Sequence, residues 1–180
     1  MVCTRKNQNV TFRTSNGIFK VELYGKDNPV TVNNFVENIE KDIYKNKKFY
    51  KIISYPELKI IHSGIHNEKK SFDIQNYDIN KQNAAIPLEI KLKREIEPRY
   101  KYQINNPSEI SNLSYLFEKG SIAMVKKGNM TSSSTEFFFV TNKFPELDGR
   151  YAIFGKVISG FKNMEKLNNK DFIYEIIINP

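Results

Sequence analysis

Leu147-Asp148-Gly149-Arg150-Tyr151-Ala152-Ile153-Phe154-Gly155-Lys156-Val157 is the stretch from which this 180-residue chain is best read. Asp-Gly is a turn pair, because glycine takes positive φ at no steric cost. The apolar run behind it, Tyr151 to Ile158, predicts a strand. Upstream, Ser121–Val125 and Phe137–Thr141 read as two more strands. Alternation sends Phe137 and Phe139 to one face and Phe138 to the other. The polar, Ser/Thr-rich segment between them, Lys126 to Thr135, reads as a loop. Downstream, Phe161, Met164 and Leu167 fall on one side of a short helix after Gly160, and Phe172–Ile178 closes the chain as an apolar strand.

The front half adds matching pieces. Val10–Thr14 and Ile18–Leu23 alternate apolar and polar residues around Ser15-Asn16-Gly17, which predicts a β-hairpin with positive φ at the Asn-Gly pair. After Asn28-Pro29, the residues Val32, Phe35, Val36, Ile39 and Ile43 recur at helical spacing. This predicts an amphipathic helix to about Tyr44, with Thr31 capping the first turn. Phe49–Ile53 and Leu58–His62 are short apolar runs of strand length around Tyr55-Pro56-Glu57. From about 64 to 119 the pattern weakens and Pro87, Pro98 and Pro107 interrupt it. That excursion predicts a strand at Ala85–Ile90 and a helical turn at Glu109–Leu116. About eight strands and two helices make an all-β single domain over 1–180, a closed or nearly closed antiparallel barrel.

Composition excludes several classes. Apolar residues are 39% and aromatics 13%, enough for one folded core. No apolar run approaches the roughly 20 residues of a membrane span, and Met1–Lys6 has no signal-peptide core. One Cys and two His form neither a disulfide nor a Cys/His zinc site. The net charge of +8 is spread along the chain, and glutamates interrupt its densest stretch, Lys91–Lys101, so a solvated basic surface is expected and no nucleic-acid partner. Cytoplasmic residence is the expectation. A lipid-bearing Cys3 on an exported lipoprotein is the alternative if a leader has been removed.

Several separate blocks resemble one family. Gly120-Ser121-Ile122-Ala123-Met124, then Thr135-Glu136-Phe137-Phe138-Phe139, is similar to the cyclophilin pattern G-x-[IL]-[SA]-M … S-Q-F-F-I. Leu147–Val157 resembles L-D-G-x-[HY]-x-[VI]-F-G-x-V. Val21-Glu22-Leu23-Tyr24, Pro29–Phe35 and Phe49–Ile53 match the family's opening strands and helix, and the loop near 126–135 with Tyr151 resembles its bacterial branch. The resemblance implies an eight-stranded antiparallel β-barrel capped by two α-helices. It also implies peptidyl-prolyl cis/trans isomerase activity without cofactor or metal, by a monomer that acts on proline-containing peptides or unfolded clients. The proline would enter a shallow apolar pocket on the outer barrel face.

Carried over residue by residue, the resemblance makes Phe138 the pocket floor, Leu147 and Ile60 its walls and Tyr151 its rim. Val125 and Lys126 would offer main-chain groups to the peptide. Four departures matter. Lys51 stands at the catalytic arginine, which in the family donates to the prolyl nitrogen. Lys59-Ile60-Ile61-His62-Ser63-Gly64 replaces F-[MV]-x-Q-G-G, so His62 falls at a substrate-gripping glutamine and Lys59 at a pocket phenylalanine. Glu136 replaces a second glutamine. Glu146 stands where many members have the tryptophan that bonds cyclosporin-type inhibitors. Plainer roles remain open: Lys51 as a surface lysine, His62 as a half-buried histidine bonded to main chain, His66 as an exposed loop residue. Two classes of function follow. One is an isomerase of reduced activity. The other is a proline-peptide binding module, a chaperone or assembly factor, that has lost most of its catalysis.

Overall fold

The computed structural model describes residues 5–66 and 85–180. Cys3 lies outside the described residues, as does the 67–84 part of the excursion. Strands β1 (Gln8–Thr14) and β2 (Gly17–Leu23) form the expected hairpin. Gly17, rather than Asn16, takes the positive φ, at 108°. Helix α1 (Pro29–Glu40) follows, then β3 (Lys51–Ser54) and β4 (Lys59–Ser63). The excursion contributes β5 (Ala85–Pro87), β6 (Glu89–Ile90), β7 (Arg99–Tyr100) and the single turn α2 (Pro107–Ile110). Strands β8 (Ser121–Lys126), β9 (Thr131–Val140) and β10 (Ile153–Ser159), helix α3 (Phe161–Glu165) and β11 (Ile173–Ile178) complete the order.

The antiparallel sheet runs β11-β1-β2-β10-β8-β9-β4-β3, with β5 added to β9. Its two ends meet at the Lys48–Phe172 bridge, so the eight strands curl into a barrel. The interior is packed with rings: Phe12, Phe19, Phe35, Tyr44, Phe137, Phe139 and Phe154 are each at most 1% exposed. Their neighbouring centroids lie 4.8 to 6.5 Å apart, stacked, tilted or edge-on, which are favourable aromatic geometries. α1 closes one opening with Val32, Phe35 and Ile39, and the α3 region packs Met164 and Leu167 against the same core. A filled barrel leaves its outer surface as the place for a ligand.

Several boundaries move, each for a tertiary reason. α1 ends at Glu40, and the chain reaches Tyr44 through turns, with positive φ at Asp42. Its first turn is not capped by Thr31, which lies inside the helix. The Glu89 carboxylate accepts from Val30 N (3.2 Å) and Thr31 N (2.8 Å) instead. Residues 131–135 are strand rather than loop, because β5 and β8 pair with them and bury Ser132 and Ser133. The Ala85–Ile90 strand is two strands in different sheets, separated at the buried Leu88. The helical turn spans 107–110 rather than 109–116, started by the Asn106 side chain capping Ser108 N. The strand at Phe49 begins at Lys51, leaving Phe49 fully buried in the core, and the strand at Tyr151 begins at Ile153. The excursion has a small core of its own: Leu88, Ile90, Leu92, Ile104 and Leu113 pack with Ala152.

Candidate active site

Strand pairing sets a row of side chains across the barrel. Lys51 of β3 is in register with His62 of β4, His62 with Phe138 of β9, Phe138 with Ala123 of β8, and Ala123 with Ile153 of β10. Phe137 and Phe139 point inward, so this row faces out. Around it Ile60, Phe117, Ala123, Phe138, Val140 and Ile153 form one buried apolar cluster, with Val125, Leu147 and Tyr151 packed on its edge. The register thus brings together Ile60, His62, Val125, Phe138, Leu147 and Tyr151 from four separate parts of the chain.

The Phe138 ring is more enclosed than an open pocket floor. It is 2% exposed and ringed by His62 (5.4 Å), Tyr151 (5.3 Å, edge-on) and Phe117 (5.7 Å, stacked). Phe117 escaped the sequence reading because it sits in the excursion, where no periodicity marks it. It is fixed by the Asp148 carboxylate accepting from its N–H (2.7 Å) and by its own carbonyl accepting from Phe144 N. His62 and Tyr151, both half-buried, stand between the buried Phe138 ring and the surface residues around it.

The polar rim divides in two. On one side Lys51 is exposed, and Lys126 lies over the Tyr151 ring at 5.6 Å. Lys59 is turned away, its Nζ donating to the Glu165 carbonyl at 2.9 Å. Glu146 is exposed next to Leu147. On the other side Glu136 is 8% exposed, and its Oε1 accepts from Tyr50 OH (3.1 Å) and contacts His66 Nδ1 (2.9 Å). The Tyr50 and His66 rings stack at 4.4 Å. His66 is therefore exposed but tied to the site. The contact joins residues 70 positions apart, so nothing local signals it. Among the described residues no group of His, Cys, Asp and Glu is arranged to hold a metal ion.

Burial, reinforced by the Lys51 charge, pushes the His62 pKa down to about 4. His62 is thus neutral at physiological pH, a hydrogen-bonding group and not a cation. A depressed histidine contributes stability that is complete above its unfolded value of about 6.5 and lost as pH falls towards 4. We expect urea unfolding to show the wild type losing stability between about pH 6.5 and 4, and His62→Gln to flatten that loss. Parallel curves for the two proteins would contradict it.

The eight-stranded antiparallel barrel is the architecture of the cyclophilin fold. The family model described as cyclophilin type peptidyl-prolyl cis-trans isomerase matches residues 9–175. The chain belongs to that family. A peptidyl-prolyl cis-trans isomerase from Helicobacter pylori is 25% identical over 97% of this chain and 90% of its own length. A peptidyl-prolyl cis-trans isomerase-like 1 protein from Aspergillus fumigatus is 29% identical over 88% of this chain and 80% of its own. The crystal structure of a Cryptosporidium parvum cyclophilin type peptidyl-prolyl cis-trans isomerase superposes with a TM-score of 0.64 at 25% identity, covering 97% of this chain and 99% of that one. A second structure of that protein was obtained in the presence of the dipeptide Ala-Pro. No helix among the described residues is long and apolar enough to cross a membrane.

Proposed function

We propose that this protein catalyses cis/trans isomerisation of X-Pro bonds on its outer barrel face, with Lys51 as a weakened catalytic donor. The observation that carries the reading is the Lys51–His62–Phe138 register, which sets a cation on the same face as an apolar floor, two strands from it. Rotation about the bond must cross roughly 18–20 kcal/mol and takes about 10–100 s unaided. No bond is made or broken. The site has only to hold the twisted amide more tightly than either planar isomer. Phe138, Ile60, Leu147 and Tyr151 would grip the ring, Val125 and Lys126 would pair with the peptide main chain, and the Lys51 ammonium would donate to the prolyl nitrogen as it turns pyramidal. His62 and Glu136 would hold the flanking residues.

The enclosure of Phe138 favours weak ground-state binding, because uncovering the floor costs free energy before any contact is gained. The deciding experiment is an isomerase assay on a panel of short X-Pro peptides, with binding to the same peptides measured in parallel. Turnover faster than the uncatalysed exchange supports the enzyme. Binding without turnover replaces it with a proline-peptide binding module.

Glu146 gives a ligand prediction. Its carboxylate only accepts hydrogen bonds and is costly to desolvate, so cyclosporin-type inhibitors are expected to bind more weakly than about 1 µM. Glu146→Trp is expected to gain about tenfold in affinity, the value of one well-made hydrogen bond. Submicromolar binding by the wild type in a calorimetric titration would refute this.

A further inference from the structure

We propose that Glu136, with His62 beside it, makes the site select peptides carrying a basic side chain, Lys or Arg, within two residues of the proline. The inference rests on the outer-face site proposed above and adds a substrate class to it. Glu136 lies two residues from Phe138 on the same face of β9, about 7 Å along the strand. Its carboxylate has roughly four acceptor sites. Oε1 takes the Tyr50 hydroxyl and His66 Nδ1, whereas among the described residues Oε2 has one long 3.4 Å contact, from Ser133 Oγ. Ser133 Oγ is itself occupied as acceptor for Thr135 N (3.2 Å) and Glu136 N (3.0 Å).

In register with Phe138 on the neighbouring strand, His62 Nδ1 is buried with no hydrogen-bond partner among the described residues. A buried anion with spare acceptor capacity gains most from a charged group with several N–H donors, and ammonium and guanidinium side chains are those groups. A glutamine at position 136 has two donors of its own and makes no such demand. The Glu136 side chain is 11% exposed and the His66 side chain over it 49%, so displacing His66 opens the carboxylate. Lys51 opposes a basic ligand from two strands away, roughly 10 Å at the usual strand spacing. That spacing is between backbones, and the ammonium is exposed on a mobile stem, so its repulsion is weakened by solvent and salt rather than abolished. The Glu136 charge, held in a poorly solvated place, is weakened less.

The test is a pentapeptide panel with central proline and Lys, Ala or Glu at each of the two positions on either side of it, assayed for kcat/KM and Kd with wild type and Glu136→Gln. Because only ratios within one protein are compared, a change in overall activity cancels. At one position the wild type is expected to favour Lys over Glu about tenfold or more, less so at high salt, and Glu136→Gln to bring the ratio within about twofold. A flat wild-type panel, or the same Lys preference in Glu136→Gln, overturns the inference while turnover of the Ala peptides leaves the isomerase standing. Absence of both binding and turnover across the whole panel removes the site and the inference together.

Discussion

Lys51→Arg is expected to raise kcat/KM ten- to a hundredfold over the wild type, and Lys51→Ala to lower it. As the X-Pro bond twists, the prolyl nitrogen loses conjugation and its lone pair becomes an acceptor. Arginine presents a rigid planar fork, so one N–H is aimed at that nitrogen while the others hold neighbours. Lysine presents a strongly hydrated ammonium on a mobile stem. Loss of an aimed donor costs about 10²–10³ in rate in other enzymes. A lysine that still reaches keeps part of that, which sets the tenfold to hundredfold range, or about 1.4–2.7 kcal/mol of transition-state stabilisation. Lys51 is exposed, so the larger guanidinium can extend into solvent there. Equal activity in all three proteins would remove Lys51 from the chemistry. Equal inactivity with retained peptide binding would make the protein a binding module.

Glu89→Ala is expected to destabilise the fold by about 2–4 kcal/mol. Glu89 is fully buried, and its carboxylate caps α1 through Val30 N and Thr31 N. Asn28 Nδ2 donates to its carbonyl at 3.2 Å. Removing the side chain leaves one buried and one part-buried amide without acceptors, at about 1–3 kcal/mol each, partly offset by no longer burying a charge. Burial raises the Glu89 pKa despite the amides donating to it. A raised carboxyl contributes stability that is complete below its unfolded value and lost as pH rises through the folded one. The deficit of Glu89→Ala is therefore expected to be larger near pH 4 than at pH 8. Chemical denaturation at the two pH values reads both the size and the sign, and a deficit growing with pH would contradict the assignment.

The sequence by itself determined what depends on near neighbours along the chain. The hairpin at Ser15-Asn16-Gly17 follows from turn chemistry. The inward Phe137 and Phe139 and the outward Phe138 follow from a period of two, and the buried face of α1 from a period near 3.6. The resemblance of ordered motifs at Gly120–Met124, Thr135–Phe139 and Leu147–Val157 carried the family, and with it the expectation that residues from four separate segments meet around Phe138.

Tertiary structure alone decided the contacts whose partners lie far apart. The α1 cap comes from Glu89, 58 residues beyond Thr31, and so displaces the local candidate. Ser132 and Ser133 look like loop residues, yet they extend β9 because β5 and β8 supply partners for their main chain. Phe117 closes over Phe138 from a segment with no pattern of its own, and His66 reaches Glu136 from the end of β4. Gly64 permits that last approach: at φ 104° any Cβ there would stand 2.1 Å from the Thr135 carbonyl oxygen. Local periodicity reports which face of an element is apolar. Which distant side chain satisfies a buried carboxylate or covers an aromatic ring is fixed only when the barrel closes, because each such group then takes whatever donor or ring the register sets beside it.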